Sequence, residues 1–130
     1  MRFIKVYDLK EDFRQIQNVQ RVTLQTADFG LKPDHGLFGS AEWWSAIEKG
    51  LMPLKVVEGR ISRPQIGTSQ DFPMFEMETS EGLQSWEKHG EDKHYKLGKK
   101  VRINYVIQEF KKPLGKQTHT NIIVTLEIEK

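Results

Sequence analysis

Residues 54–105 read LKVVEGRISRPQIGTSQDFPMFEMETSEGLQSWEKHGEDKHYKLGKKVRINY, and their hydrophobic pattern decides the fold. Short stretches in which apolar and polar residues alternate are separated by Gly, Pro and polar residues, which is typical of half-buried β-strands. The segment is therefore expected to form a small meandering barrel, with a loop at Gly67 and a turn at Ser80-Glu81-Gly82. Its four predicted strands are Leu54–Arg63, Phe72–Thr79, Leu83–Glu87 and Lys99–Ile107.

The segments on both sides add further strands. Alternation predicts short strands at Arg2–Tyr7 and Arg21–Thr26, whereas Pro113 and Gly115 predict a loop over Lys111–Thr120. The clearest strand is the last one. Its inward positions are expected to be Ile122, Val124, Leu126 and Ile128, with Ile123 on the outer face under an N-terminal element.

Two helices are predicted before the barrel. The first runs from about Leu9 to Gln17, with Asp8 as its N-cap because an acidic residue follows three positions later. The second, Ala41–Lys49, has the stronger end signals: Ser40 is a natural N-cap and Gly50 suits the left-handed position after the last turn.

Length and composition indicate one ordinary globular domain. The chain has 130 residues, a net charge of +2 and no cysteine, which excludes disulfides, thiolate catalysis and zinc–thiolate sites. No apolar run approaches the roughly 20 residues of a membrane span, and the N-terminus has no signal-peptide pattern. We expect a single cytoplasmic domain, in which residues 1–53 form an N-terminal extension and residues 54–130 form the barrel core.

Two local signatures resemble the oligonucleotide/oligosaccharide-binding (OB) barrel. They are Val57-Glu58-Gly59-Arg60-Ile61 and Leu97-Gly98-Lys99-Lys100-Val101-Arg102-Ile103. The resemblance implies an α+β, mainly β fold: a small, mostly antiparallel OB-like barrel with one or two short helices. It also implies binding along strands 2 and 3, where aromatic residues stack on bases beside a basic groove. In this chain the corresponding strands offer Glu76, Glu78, Glu81 and Trp86.

A basic and aromatic cluster and an aromatic hub are the candidate contact surfaces. The cluster is interpreted either as a weak nucleic-acid contact patch or as solvated charges at a strand entrance. The hub is interpreted either as one wall of a ligand or partner groove or as a helix that plugs one barrel end. The cluster comprises Lys96, Lys99, Lys100, Arg102, Tyr95 and Tyr105, and the groove or partner surface comprises Trp43, Trp44, Phe38 and Trp86.

Catalytic and metal-binding patterns have simpler explanations. The histidines His35, His89, His94 and His119 match no compact metal motif, even though Glu91 and Asp92 lie between two of them. Asp34, His35 and Ser40 lack the glycine pattern of a nucleophile elbow, and Glu76 and Glu78 fit a solvated strand face. No catalytic residue, metal or cofactor is assigned.

The sequence therefore predicts a small binding or interaction module rather than a specific activity. The alternative is a protein-interaction or structural module, with a homodimer formed through a strand edge or the tryptophan helix as one form of it. An enzyme is the remote third possibility, since fold analogy alone does not assign chemistry.

Overall fold

A computed structural model of the chain describes residues 2–66 and 73–130. It contains six strands, two α-helices and two short 3-10 helices. The strands are β1 (Phe3–Asp8), β2 (Lys55–Ile66), β3 (Met74–Thr79), β4 (Gly82–Glu87), β5 (Lys100–Leu114) and β6 (Gln117–Glu129); the helices are α1 (Phe13–Gln25) and α2 (Ala41–Glu48), and the 3-10 helices are Leu9–Glu11 and Asp92–His94.

The six strands form one sheet in the order β1-β6-β5-β2-β3-β4. The pairs β1–β6, β2–β3 and β3–β4 are antiparallel, and the two-residue connection between β5 and β6 requires the same of that pair. The α+β, mainly β, antiparallel class with two helices is therefore confirmed. The OB-like barrel stays a prediction, as does the single domain. Gly67 and Phe72 lie outside the described residues.

The chain divides into two compact units. Unit 1 consists of Met1–Asp8, Val56–Asn104 and Thr125–Lys130, and unit 2 of Leu9–Lys55 and Tyr105–Val124. Alternate strand residues supply the core of unit 1, whereas the core of unit 2 mixes helix, loop and strand residues. Fully buried side chains include Ile61, Phe75, Met77, Val101, Ile103, Leu126 and Ile128 in unit 1, and Leu9, Trp43 and Val106 in unit 2.

Helix α2 is built as its end signals predict. The Ser40 hydroxyl accepts a hydrogen bond of 3.3 Å from the Trp43 amide, and Gly50 follows the last turn with φ +78°. Trp43 is fully buried, whereas the adjacent Trp44 is half-buried. Neighbouring helix positions point about 100° apart, which is why only one of the two tryptophans reaches the core.

The first helix differs from the prediction in both position and length. Its N-cap is Asp12, whose carboxylate accepts from the Gln15 amide, rather than Asp8. The helix continues to Gln25, so the strand predicted at Arg21–Thr26 is wrong. The apolar positions of the alternating pattern are not the buried ones: Val22 is 38% and Leu24 71% exposed, and Thr23 is the buried residue of the helix.

The loop predicted at Lys111–Thr120 is also wrong. β5 continues to Leu114 and β6 begins at Gln117, so only Gly115 and Lys116 form the turn. Pro113 sits within the last residues of β5, near a hairpin end, where the missing amide proton is tolerated better than in a central strand.

The buried face of both long strands changes along their length. In β5 the buried residues change from Val101 and Ile103 to Val106 and Gln108, so Tyr105, two positions after Ile103, is only half-buried. In β6 both Ile123 and Val124 are buried and Ile122 is only half-buried. Burial agrees with the predicted inward face for Val124, Leu126 and Ile128, whereas the half-buried Ile122 leaves that part of the prediction open.

Candidate functional site

The β3–β4 hairpin lies at one end of the sheet and belongs to unit 1. Its turn is Ser80-Glu81, and six consecutive residue pairs run without interruption from Thr79 and Gly82 to Met74 and Glu87. The Thr79 hydroxyl accepts from the Glu81 amide and donates to the Gly82 carbonyl at 2.8 Å. Gly82 adopts φ +108°, which favours glycine, so the local sequence fixes this turn.

The hairpin is acidic although the whole chain is slightly basic. Residues 74–87 contain four glutamates and no Lys, Arg or His. Glu76 accepts from the Ser62 hydroxyl at 2.8 Å, and Glu87 pairs with His89 at 3.4 Å, an interaction that lowers the pKa of the Glu87 carboxyl. Glu78 and Glu81 are exposed and make no ion pair within residues 2–66 and 73–130.

A compact ion-pair network lies on neighbouring strands of unit 1. The Glu58 carboxylate on β2 forms ion pairs with the Arg102 guanidinium at 2.9 Å and with the Lys100 ammonium at 3.2 Å. These two cations hold the pKa of the Glu58 carboxyl below its usual value. Arg102 also lies 4.4 Å from the centre of the Phe3 ring. Two of the four cations in the predicted basic cluster are thus already engaged.

The other members of that cluster are dispersed. Lys96 is exposed and Lys99 half-buried, while Tyr105 is a half-buried residue of unit 2. Tyr95 is only 4% exposed. Its hydroxyl donates to the His89 carbonyl and accepts from the His89 amide, and burial raises the pKa of Tyr95 to about 12. Tyr95 therefore packs in unit 1, and nucleic-acid contact by the cluster stays a prediction.

A shallow pocket of about 320 Å³ opens beside the hairpin turn. Gly59 is one of the residues that line it, and a Cβ at that position would lie 2.6 Å from the Glu78 carbonyl oxygen. The missing side chain at Gly59 thus allows a close approach between β2 and β3. The pocket is lined by Glu58, Gly59, Arg60, Glu78, Thr79, Ser80 and Lys100.

The predicted aromatic surface is largely interior. In unit 2 the Trp43 ring packs 4.9 Å from Phe38 and 4.8 Å from Trp44, and its indole N–H donates to Gln108. Phe38 is 2% exposed, so Trp44 is the member with accessible surface. In unit 1, Trp86 is 7% exposed. Trp43 is thus packed inside unit 2, and the groove or partner role of these residues stays a prediction.

Two of the histidines and Ser40 make local contacts within the described residues. No group of three metal-binding side chains occurs within the part of the chain that the structure describes. His89 stacks on Tyr7 with ring centres 3.9 Å apart, and His119 contacts Thr118. The Ser40 hydroxyl is occupied as a helix cap.

The edge position of β4 is the feature that sequence reasoning missed. The edge position follows from the strand order, in which the first strand, β1, pairs with the last strand, β6. Pairing between such distant segments leaves no local pattern in the sequence. A signal did exist in composition, namely a 74–87 stretch rich in glutamate and free of basic residues.

Comparisons with known proteins give one finding. Residues 3–129 match the family described as immunity protein RhsI2. No curated protein matches the chain. Among the described residues, none of the helices has the length and apolar character needed to cross a bilayer.

Proposed function

Because this chain belongs to the RhsI2 immunity protein family, we propose that it protects cells by binding a toxin protein and blocking its activity. The observation that carries the proposal is the extent of the family match, which covers residues 3–129 of 130. Of the functions weighed from the sequence, this supports the protein-interaction alternative. Homodimer formation and the cytoplasmic location stay predictions.

Protection by binding needs a surface rather than reactive groups. A stable protein–protein interface buries about 800 Å² on each partner. The chain exposes 8412 Å², so about a tenth of its surface is needed. Neutralisation also requires that little toxin remains free, and therefore tight binding. A nanomolar dissociation constant corresponds to a binding free energy of about −12 kcal/mol.

A growth assay in bacterial cells tests the proposal. Candidate toxin domains from the source genome are expressed under an inducible promoter, with this chain or an empty vector on a second plasmid. We expect this chain to restore growth with one toxin domain, and the purified pair to form a one-to-one complex by calorimetry. If no toxin domain is neutralised, or if neutralisation occurs without a complex, the proposal is wrong.

A further inference from the structure

The two edge strands of the sheet are protected to different degrees. The strand β1 is irregular, because its pairing with β6 shifts between Lys5 and Tyr7. Its backbone is also approached by a neighbouring loop: a Cβ at Gly90 would lie 2.6 Å from the Val6 carbonyl oxygen. Both features are common protections against pairing with another chain.

The other edge strand, β4, shows none of these protections in the part of the chain that the structure describes. Its register with β3 is unbroken, and it contains no Pro or Lys. Leu83 is 63% exposed. An exposed and regular edge of this kind is a template for a further strand.

The hairpin geometry identifies which backbone groups are available. In a hairpin with a two-residue turn, the pair that closes the turn is hydrogen-bonded, and such pairs then alternate along the strands. Gly82, Gln84 and Trp86 therefore direct their backbone groups towards β3. The backbone N–H and C=O groups of Leu83, Ser85 and Glu87 point away from β3, towards the open edge.

Charge limits the kind of strand that fits there. The hairpin carries four glutamates and no basic residue, and the exposed carboxylates of Glu78 and Glu81 make no ion pair with any described residue. A second copy would bring two acidic hairpins together, which like-charge repulsion opposes. A segment that contains lysine or arginine would instead be attracted by the glutamates of the hairpin.

We propose that the open edge of β4 is the docking site for an extended, basic segment of the toxin, which adds to the sheet as a further strand beside β4. The inference rests on the proposed function, because the toxin is the partner that supplies the segment. Backbone hydrogen bonds to Leu83, Ser85 and Glu87 provide affinity, and the glutamates of the hairpin select a basic sequence.

Two variants test the two parts of this inference. Ser85→Pro removes an outward N–H while leaving the hydrogen bonds to β3 in place. Glu78→Lys/Glu81→Lys reverses the two unpaired charges without entering the core. The matched control is Glu11→Lys/Glu48→Lys, which makes the same charge change at exposed helical positions. The probe is the toxin domain identified by the growth assay, and thermal unfolding confirms that each variant folds.

We expect Ser85→Pro to weaken toxin binding about tenfold and the hairpin charge variant to weaken it at least about fivefold, with the control close to wild type. Binding of the wild-type protein should weaken between about 50 and 500 mM salt, and binding of the hairpin charge variant should weaken less. Should the wild-type protein neutralise the toxin while the folded hairpin charge variant binds it like the control, the inference is wrong and the proposed function stands.

Three further outcomes have defined meanings. If Ser85→Pro fails to fold, the hairpin charge variant decides alone. If sedimentation shows a wild-type dimer that Ser85→Pro dissociates, the edge is occupied by a second copy and the inference is overturned. If the wild-type protein neutralises no toxin, the proposed function fails, and the inference fails with it.

Discussion

The indole N–H of Trp43 donates a hydrogen bond of 2.9 Å to the side-chain oxygen of Gln108, and both side chains are buried. The amide nitrogen of Gln108 in turn donates to the Lys32 carbonyl at 2.9 Å. One buried glutamine thus satisfies a helix tryptophan and a loop backbone group within unit 2.

We expect Gln108→Leu to destabilise the protein, because the Trp43 N–H and the Lys32 carbonyl then lose their partner. Each unsatisfied buried group costs about 1–3 kcal/mol. Urea denaturation measures the free energy of unfolding. In a double-mutant cycle with Trp43→Phe, the combined cost should be less than the sum of the single costs. Strict additivity would contradict the hydrogen bond as a stabilising contact.

We expect Ser40→Ala to lower the free energy of unfolding by about 0.5–2 kcal/mol, because the Trp43 amide loses its cap. The same measurement on Asp12→Ala provides a matched comparison, since Asp12 caps α1 through the Gln15 amide. A Ser40→Ala variant as stable as the wild-type protein would contradict the assignment of Ser40 as a stabilising cap.

The raised pKa of Tyr95 predicts a loss of stability at alkaline pH. The pKa is about 12 in the folded protein against a reference of 10.0, so the native state keeps the proton that the unfolded state releases. The contribution is complete below pH 10 and declines as pH rises towards 12, by about 1.4 kcal/mol per pH unit. The difference in unfolding free energy between wild type and Tyr95→Phe should shrink over this range. A constant difference would contradict the assignment.

We expect Gly59→Ala to destabilise the protein by about 1–3 kcal/mol, because the new methyl group meets the Glu78 carbonyl oxygen on the neighbouring strand. The control is Arg60→Ala, an exposed position whose ion pair with Glu129 is 3.9 Å long and whose loss should cost less than about 1 kcal/mol. Equal melting temperatures for Gly59→Ala and wild type would show that β2 and β3 move apart at little cost, and would contradict the prediction.

Nucleic-acid binding through the basic cluster should be weak and strongly affected by salt. With Lys100 and Arg102 engaged by Glu58, two lysines remain, which corresponds to a log–log salt slope no steeper than about −1.4 on single strands. The variant Glu58→Gln should bind more tightly, with a slope approaching about −3. Tryptophan fluorescence with an oligonucleotide measures both slopes. Tight wild-type binding at moderate salt would reveal base stacking.

The parts of the fold that could be predicted are those with a local physical cause. The cap at Ser40 and the left-handed Gly50 define α2 within a dozen residues, and the alternation in Phe75–Thr79 defines β3. The strand predicted at Arg21–Thr26 lacked such a cause. Thr23 is buried in α1 and its hydroxyl accepts from the Leu31 amide, a contact that hydrophobic periodicity does not detect.

The candidate site depends even more on distant parts of the chain. Lys100 and Arg102 look like free cations in the sequence, yet both pair with Glu58, more than 40 residues earlier in the chain. The acidic hairpin was visible as composition, but its position at an open edge follows from the strand order.

The lack of basic residues in the hairpin has a practical consequence for surface chemistry. Amine-reactive labels and amine coupling to a sensor chip modify lysines. Residues 74–87 contain no lysine and therefore carry no side-chain target for them. Trypsin likewise has no cleavage site between Arg63 and Lys88, and the Lys88 side chain is only 7% exposed. A protein immobilised or biotinylated through its lysines therefore keeps this edge chemically intact.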